Sequence, residues 1–464
     1  MARFLRRKLG FTFTSVSLFS LSCGARSLPD WPYGLDALGE PSDGAGGRTS
    51  GGTPGGSLGG TPGGGLASGG KSAPVGGAMG VGGSETGGTS DGGAGLGGFG
   101  GQSMGGEENL PAQIQELSTG YFHTCLAPEE GPARCWGAND SNQLGAGTFS
   151  DSAMPLDPML ADSAYFVSGG YFHSCAMIRD QSVWCWGANS GGELGQGDTD
   201  LRLTPMRVSF PDTPKRAVAV RTGARHTCAL LEDGSLSCWG ANSTGQLGNG
   251  YQSDEFAPVA SALREGVRDY SLGDGHTCAV LASGEALCWG QNAFGQLGNS
   301  SQFIALVPAA VRGITDAKQI SAGCGHSCAL LRDGSARCWG LNVDGQLGSA
   351  TNEESRVPVP VAGLENVAEI RAGCWHTCAR LEDGSVQCWG RNGSGQLGDG
   401  GLESHNVPKP VLGLGPVRAI AVGANHSCGL LEDGTVSCWG DNTRGQLGDD
   451  SFYSSSLPVL VQGL

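Results

Sequence analysis

The sequence predicts an all-β fold, a seven-bladed β-propeller of four-stranded antiparallel blades. Three observations carry the prediction. First, histidines recur at positions 123, 173, 226, 276, 326, 376 and 426, a period near fifty residues, and such self-similarity is the mark of a repeat architecture. Second, every copy holds two cysteines ten residues apart across a turn, as a β-hairpin would place them. Third, each unit has room for four short strands that are apolar on both faces. Sheets stacked radially in a ring are covered on both sides, which is how a propeller buries them.

The hairpin comes first. In the third copy, His226-Thr-Cys-Ala-Leu-Leu is an apolar run, Glu232-Asp-Gly is turn chemistry and Leu236-Ser-Cys-Trp is a second run. A two-residue Asp-Gly turn would set Cys228 opposite Trp239 and separate the sulfurs. A three-residue loop, a type I turn followed by Gly in the left-handed region, sets Cys228 opposite Cys238. The spacing recurs as Cys125 with Cys135, Cys175 with Cys185, Cys228 with Cys238, Cys278 with Cys288, Cys328 with Cys338, Cys378 with Cys388 and Cys428 with Cys438. It predicts seven cross-strand disulfides, even where the turn reads Glu129-Glu-Gly131 or Arg179-Asp-Gln181.

Each unit continues through Gly-Gln-Leu-Gly (Asn-Gln-Leu-Gly at 142–145 and Gly-Glu-Leu-Gly at 192–195) and a variable loop to a Pro-bearing strand such as Val407-Pro-Lys-Pro-Val-Leu. A further strand, Val417-Arg-Ala-Ile-Ala-Val, leads into the next Gly-x-x-His. The chain ends on Leu457-Pro-Val-Leu-Val, and this C-terminal strand is expected to complete the first blade and lock the ring. An open solenoid is the alternative architecture, but neither end shows a polar capping repeat.

Ahead of the repeats, residues 1–22 read as an export signal. Arg3, Arg6, Arg7 and Lys8 precede a short apolar, hydroxyl-rich run. Ser20-Leu-Ser-Cys23-Gly resembles a bacterial lipoprotein cleavage site, with Cys23 as the lipid-bearing residue. It departs from the usual pattern in carrying Ser20 where Leu is common, so plain secretion stays open as the alternative. Residues 23–110 then form the anchor and a linker, with 30 glycines in the 66 residues from Pro41 to Gly106. So little apolar material cannot offset the entropy of ordering. A Gly-rich coil of about 80 residues has a root-mean-square span on the order of 50 Å, enough to hold a folded domain off a membrane. Residues 111–464 are the seven-repeat domain.

The repeat Gly-x-x-His-[Ser/Thr]-x-Ala-Leu-x-x-Asp-Gly-x-Val-x-x-Trp-Gly-x-Asn-x-x-Gly-Gln-Leu-Gly resembles that of the regulator of chromosome condensation family. The likeness covers the whole repeat region in seven copies. The cysteine pair in each copy sets this chain apart and resembles an exported bacterial branch stiffened by disulfides. The resemblance implies several uses. Nucleotide exchange on a nuclear GTPase needs a cytosolic partner and an insertion that these near-uniform repeats do not show. Chromatin docking is opposed by charge: residues 111–464 carry 36 Asp and Glu against 21 Lys and Arg, which repels phosphate backbones, so no nucleic acid is expected. Ultraviolet-B reception uses tryptophans two places before the histidine, where this chain has none. Inhibition of an extracytoplasmic enzyme by one propeller face agrees best with the sequence.

His-x-Cys recurring beside a second Cys invites a zinc reading. However, the ligand spacing is wrong and exported cysteines are oxidised, so no metal and no cofactor are expected. No nucleophile elbow, His-Glu-x-x-His or phosphate loop occurs. A catalytic site at the channel mouth, as in a propeller hydrolase or lyase, remains the alternative to a non-enzymatic scaffold. It would show as clustered unlike polar groups with shifted pKa values.

The residues that break the repeat are the candidates for function. Between the repeat Gly and His stand Tyr121-Phe122, Tyr171-Phe172, Ala224-Arg225, Asp274-Gly275, Cys324-Gly325, Cys374-Trp375 and Ala424-Asn425. Tyr121, Phe122, Tyr171, Phe172, Trp184, Arg225 and Trp375 are the candidate partner-binding residues, with filling of divergent blades as the bland alternative. Cys324 and Cys374 are left over from the hairpin pairs, and an inter-blade disulfide is expected if their Cα atoms lie within about 7 Å. The expected partner of this monomer is an envelope or extracellular protein or glycan, met at the outer membrane or cell envelope. Contact with the membrane is expected only through the lipid.

Overall fold

The computed structural model describes residues 116–464 apart from 129–130, 211–215 and 264–265. The expected signal, Cys23 and the linker lie outside the described residues. The described strands form seven four-stranded antiparallel sheets, each contiguous in the chain. Blades 1 to 7 span 116–156, 164–207, 217–260, 267–310, 317–360, 367–410 and 417–460. In each, the first strand lines the axis and the fourth lies at the perimeter. Every fourth strand carries a proline at an equivalent place (Pro155, Pro205, Pro258, Pro308, Pro358, Pro408 and Pro458). Proline has no N–H to offer an incoming strand, so these edges resist sheet-to-sheet aggregation.

The hairpins have the expected register. Cys228 faces Cys238, and Leu231 N donates to Ser235 O at 2.9 Å around a loop of Glu232, Asp233 and Gly234, with Gly234 at φ +77°. Hydrogen-bonded pairs alternate along an antiparallel ladder, so the cysteines occupy the close, non-hydrogen-bonded sites. All seven expected hairpin pairs are disulfides, with Cα atoms 4.0–4.1 Å apart. Cys125 is bonded to Cys135, Cys175 to Cys185, Cys228 to Cys238 and Cys278 to Cys288. In the last three blades Cys328 is bonded to Cys338, Cys378 to Cys388 and Cys428 to Cys438. These fourteen cysteines are buried struts within single blades, so they stiffen the sheets and take no part in any exposed site. The turn at 179–181 keeps the same shape without glycine, Gln181 taking the left-handed conformation at φ +64°.

One expectation fails. The C-terminal strand does not complete the first blade. Residues 455–460 pair within blade 7, while Glu116–Thr119 begins blade 1. The repeat boundary falls between the fourth strand of one blade and the first of the next, so no blade is short of a strand. Side chains close the ring instead. Trp136 of blade 1 packs among Cys428, Leu430, Val436 and Cys438 of blade 7, and Arg444 of blade 7 is held by Asp140 and Asp151 of blade 1.

That closure repeats a joint found at every blade boundary. Each Trp of the Cys-Trp-Gly motif is fully buried against the preceding blade, and its indole N–H donates to the backbone carbonyl of that blade's Gly-Gln-Leu-Gly loop at 2.8–3.0 Å. The Ser or Thr after the next histidine donates to the same carbonyl at 2.8–3.1 Å. Having given its proton away, that hydroxyl accepts from the preceding blade's histidine Nε2 at 2.8–3.0 Å. The glycines of the motif leave room for this joint. A Cβ on Gly248 (φ +68°) would lie 2.5 Å from the Trp289 indole nitrogen, and one on Gly223 would lie 2.6 Å from the next blade's Gly273 carbonyl.

Candidate functional site

Successive antiparallel strands alternate direction, so the turn between the first and second strands and the loop between the third and fourth emerge on the same face. Backbone bonds tie them together, as from Ala188 N to Phe172 O at 2.8 Å and Arg391 N to Trp375 O at 2.9 Å. The first-to-second turns converge on the axis, where Cys324, Cys374 and Ala424 form a buried cluster packed against Tyr121, Tyr171 and Trp375. Tyr121 and Tyr171 meet edge to face with ring centroids 4.0 Å apart, and Phe122 and Phe172 extend the group at 4.4 and 5.9 Å. Cys324 and Cys374 are bonded as a disulfide between blades 5 and 6, with Cα atoms 4.4 Å apart. The Tyr171 hydroxyl lies 3.6 Å from Cys324 Sγ. This face of the axial channel is therefore plugged by aromatic rings and a cystine.

Trp375 belongs to that group and has the Arg391 guanidinium 5.7 Å above its ring. Arg225 is exposed on the same face, but its charge is already engaged. It pairs with Glu193 Oε1 at 3.1 Å and donates to Ser190 Oγ at 2.8 Å. In six blades the corresponding Gln accepts a backbone N–H two residues before it at 2.9–3.0 Å. Blade 2 has Glu193 there, and Arg225 neutralises it. Trp184 does not join the group. It lies in a third strand two residues from the hairpin turn, donates to Ser182 Oγ at 2.8 Å and packs against the cluster between blades 1 and 2. The hairpin end of a blade points away from the plugged mouth, so sequence position alone misplaced this ring. Asp274 completes the mouth, half-buried, its carboxyl pushed up to about 6 by burial while Arg225 pulls it down.

Behind the plug, the first strands line a cavity of about 120 Å³ whose charged lining, Glu116, Arg221 and Arg371, is backed by further polar groups, a set that sequence reasoning missed. Seven residues before the histidines stand Glu116, Asp269 and Glu369, with Gln319 at the same place; two residues further on stand Arg221 and Arg371. Arg371 pairs with Glu369 at 2.9 Å and Arg221 with Asp269 at 3.5 Å. Burial raises Glu116 and Asp269 above the usual carboxylate range, the arginines opposing it. These groups also join blades. Asp269, Gln319 and Glu369 accept the backbone N–H of Ile320, Ile370 and Ile420 on the next blade, at 2.9, 3.0 and 3.3 Å. Their signal in the sequence was polar residues in an otherwise apolar strand, which no single copy of the repeat explains.

The histidines are joints. Burial lowers His123, His226, His276, His326 and His376 to about 3, with repulsion from neighbouring rings adding to it at all of these but His276, and lowers His173 and His426, countered by a nearby carboxylate, to about 4. They are neutral near pH 7, with Nε2–H held by a hydroxyl of the next blade. Among the described residues no three His, Cys, Asp or Glu are grouped to hold a metal ion.

The RCC1-like domain pattern matches residues 167–464, well over half of the chain. The chain belongs to the RCC1-like family. Its fold is similar to that of human WBSCR16, at 25% identity over 71% of this chain and 93% of that one, with a TM-score of 0.65. It is also similar to Prp20p of Saccharomyces cerevisiae, a protein described with binding to Gsp1p and histones. There the identity is 21% over 75% and 88% of the two chains, with a TM-score of 0.66. The same yeast RCC1 bound to Kap60 gives 20% identity over 78% and 90%, with a TM-score of 0.65. No curated protein sequence matches.

Proposed function

We propose that this RCC1-like propeller is a non-catalytic, extracytoplasmic binding scaffold, tethered through Cys23 and its Gly-rich linker, that presents its plugged face to an envelope protein or glycan. The observation that carries the reading is the aromatic group at the axial mouth. Phe122, Phe172 and Trp375 are half-buried there on a platform that a disulfide and inter-blade backbone bonds hold rigid. A preorganised aromatic patch loses little entropy on binding. Eight disulfides agree with an oxidising compartment. The channel charges support the non-catalytic reading, because Asp269 and Glu369 are each engaged by an arginine and a neighbouring backbone N–H. Exchange-factor-like activity, a use that the family resemblance implies, would need a cytosolic partner.

The test is capture of partners by the full-length chain in intact cells, comparing wild type with the double variant Phe122→Ser, Phe172→Ser. Loss of a specific partner in the double variant, with unchanged thermal unfolding, is the expected result. A partner held equally by both chains places the contact away from the mouth, and a partner found only in the cytosol removes the extracytoplasmic reading. Cys23→Ala should release the chain from membranes into the soluble fraction. A wild-type chain that is already soluble replaces anchoring by secretion.

A further inference from the structure

The seven loops between third and fourth strands form a second feature of the plugged face. They occupy 138–151, 188–201, 241–254, 291–304, 341–354, 391–404 and 441–454, and all have the same length of 14 residues. Their frames are shared. An Asn near the start accepts the N–H of the Leu five residues on, as Asn292 does from Leu297 at 3.0 Å, and its amide reaches across the loop to a later carbonyl. Each loop is then bonded to the fourth strand of the next blade, including Gly250 N to Leu306 O at 3.0 Å and Gly400 N to Ser456 O at 3.0 Å. The last such bond, Asp450 N to Ala153 O at 3.0 Å, carries the series across the ring closure. The loops thus overlap like shingles into one continuous crown.

The tips of this crown carry large apolar side chains that the fold does not bury. Phe303 is 72% exposed, Tyr453 83%, Tyr251 67%, Leu402 62% and Phe149 55%. Five different blades supply them, and the frame holds them fixed. Scattered single apolar residues need no explanation, but a ring of them on one face marks an interaction surface. The charge of the same loops is one-sided, with 14 Asp and Glu against two Arg. Both arginines are engaged within the face, Arg444 by Asp140 and Asp151 and Arg391 over Trp375. A partner must therefore bring apolar pockets and positive charge.

We propose that the loop crown is the docking surface for a folded protein with a basic face. The exposed tips enter its apolar pockets, and the carboxylates between them steer and orient it. This inference rests on the binding-scaffold reading, extends its contact from the axial mouth to the rim and names the partner's chemistry.

The experiment uses the full-length chain in its own cells. A photo-cross-linking amino acid replaces Phe303, Tyr453, Leu402 or Phe149 on the crown, or Glu382 on the hairpin-turn face. The cross-linked protein is identified, purified and titrated against four chains: wild type, a tip variant (Tyr251→Ser, Phe303→Ser, Leu402→Ser, Tyr453→Ser), a charge variant (Asp200→Asn, Glu353→Gln, Glu354→Gln, Asp450→Asn) and the mouth variant (Phe122→Ser, Phe172→Ser). The expected result is adducts from the crown positions to a basic protein. Its affinity should fall at least tenfold in the tip variant, several-fold in the charge variant and about tenfold when salt rises from about 50 to 500 mM. The mouth variant should lose affinity as well, because mouth and crown share one face. The tips and the charged residues between them lie on the surface, so the tip and charge variants should unfold at the wild-type temperature. Adducts only from Glu382, an acidic or glycan ligand, or full affinity in the tip variant each overturn the proposal. So does a lack of any adduct from the four crown positions. If the mouth variant loses affinity and the tip variant does not, the scaffold reading stands and the crown falls. If neither loses affinity, both fall.

Discussion

The joints between blades and the mouth they surround are built from neighbouring positions of one repeat, yet the two regions differ completely. At the joints, Trp, His, Ser or Thr and a loop carbonyl recur in every blade with hydrogen bonds that vary by 0.3 Å or less. At the mouth, two residues before the same histidines, the chain reads Tyr, Tyr, Ala, Asp, Cys, Cys, Ala. A ring of seven joints has no end at which an error can be absorbed, so each joint must match the others. The mouth has only to be filled once, by whatever combination fills it. Stability should therefore respond to the repeated residues, and individuality should be found where the repeat breaks.

The largest effect should come from acid. Each buried histidine binds a proton in the unfolded chain with an ordinary value of about 6.5 but resists it in the fold down to about 3 or 4. A folded pKa below the unfolded one gives stability that is whole above about pH 6.5 and declines as pH falls toward 3–4. The slope is up to about 1.4 kcal/mol per pH unit for each histidine. Glu116, Asp269, Asp274, Asp344 and Glu354 are shifted upward and oppose this in part, since they hold protons more tightly when folded. Seven fully buried histidines should outweigh these five carboxylates. Denaturant unfolding followed from pH 7 to pH 5 should show a steep loss, whereas a flat profile would mean the rings are not held neutral.

A smaller effect separates the two kinds of disulfide. In the chain-entropy picture a hairpin link such as that of Cys278 with Cys288, closing ten residues, is worth about 2.7 kcal/mol. The mouth link of Cys324 with Cys374, closing fifty, is worth about 4 kcal/mol. The double variant Cys324→Ala, Cys374→Ala should thus cost more than Cys278→Ala, Cys288→Ala if the mouth link constrains the unfolded chain. The ordering should reverse if residual structure in the unfolded chain already keeps those two turns close. Paired thermal melts of the two double variants under oxidising conditions decide between these outcomes.

The same contrast explains what was legible in the sequence. The hairpin register could be read because a ten-residue cysteine spacing admits only one turn that brings sulfurs together. The link between Cys324 and Cys374 could be anticipated because those two residues were left over at equivalent turns. Closure by the C-terminal strand was misjudged, because period alone does not say where one blade ends and the next begins. Trp184 was misplaced because alternate ends of a blade face opposite ways. The pairing of Arg225 with Glu193 had a signal that went unused: the one Glu at the loop Gln position and the one Arg at the mouth turn fall in adjacent repeats. The channel charges and the exposed crown are properties of the closed ring. Their neighbours come from blades fifty residues apart, and no pattern within a single repeat announces them.

The smallest expected effect tests whether blade 2's hairpin is a decayed copy of the shared turn. Gln181 adopts φ +64° where blades 3 to 7 have glycine, a conformation that costs an L residue roughly 1–2 kcal/mol. Gln181→Gly relieves that strain but gives the unfolded chain more freedom, which offsets about 0.4–1 kcal/mol. The net gain should be about 0.5–1 kcal/mol. The reverse exchange discriminates further. A Cβ on Gly334 would meet nothing closer than 3.8 Å, while one on Gly284 would approach the Thr315 carbonyl to 2.8 Å. Gly334→Gln should therefore cost about the backbone strain alone, on the order of 1 kcal/mol, and Gly284→Gln should cost distinctly more. Three melting curves read the order directly. If Gln181→Gly destabilises, the Gln181 side chain makes a contact that glycine cannot replace, and blade 2's turn is an individual feature like the mouth.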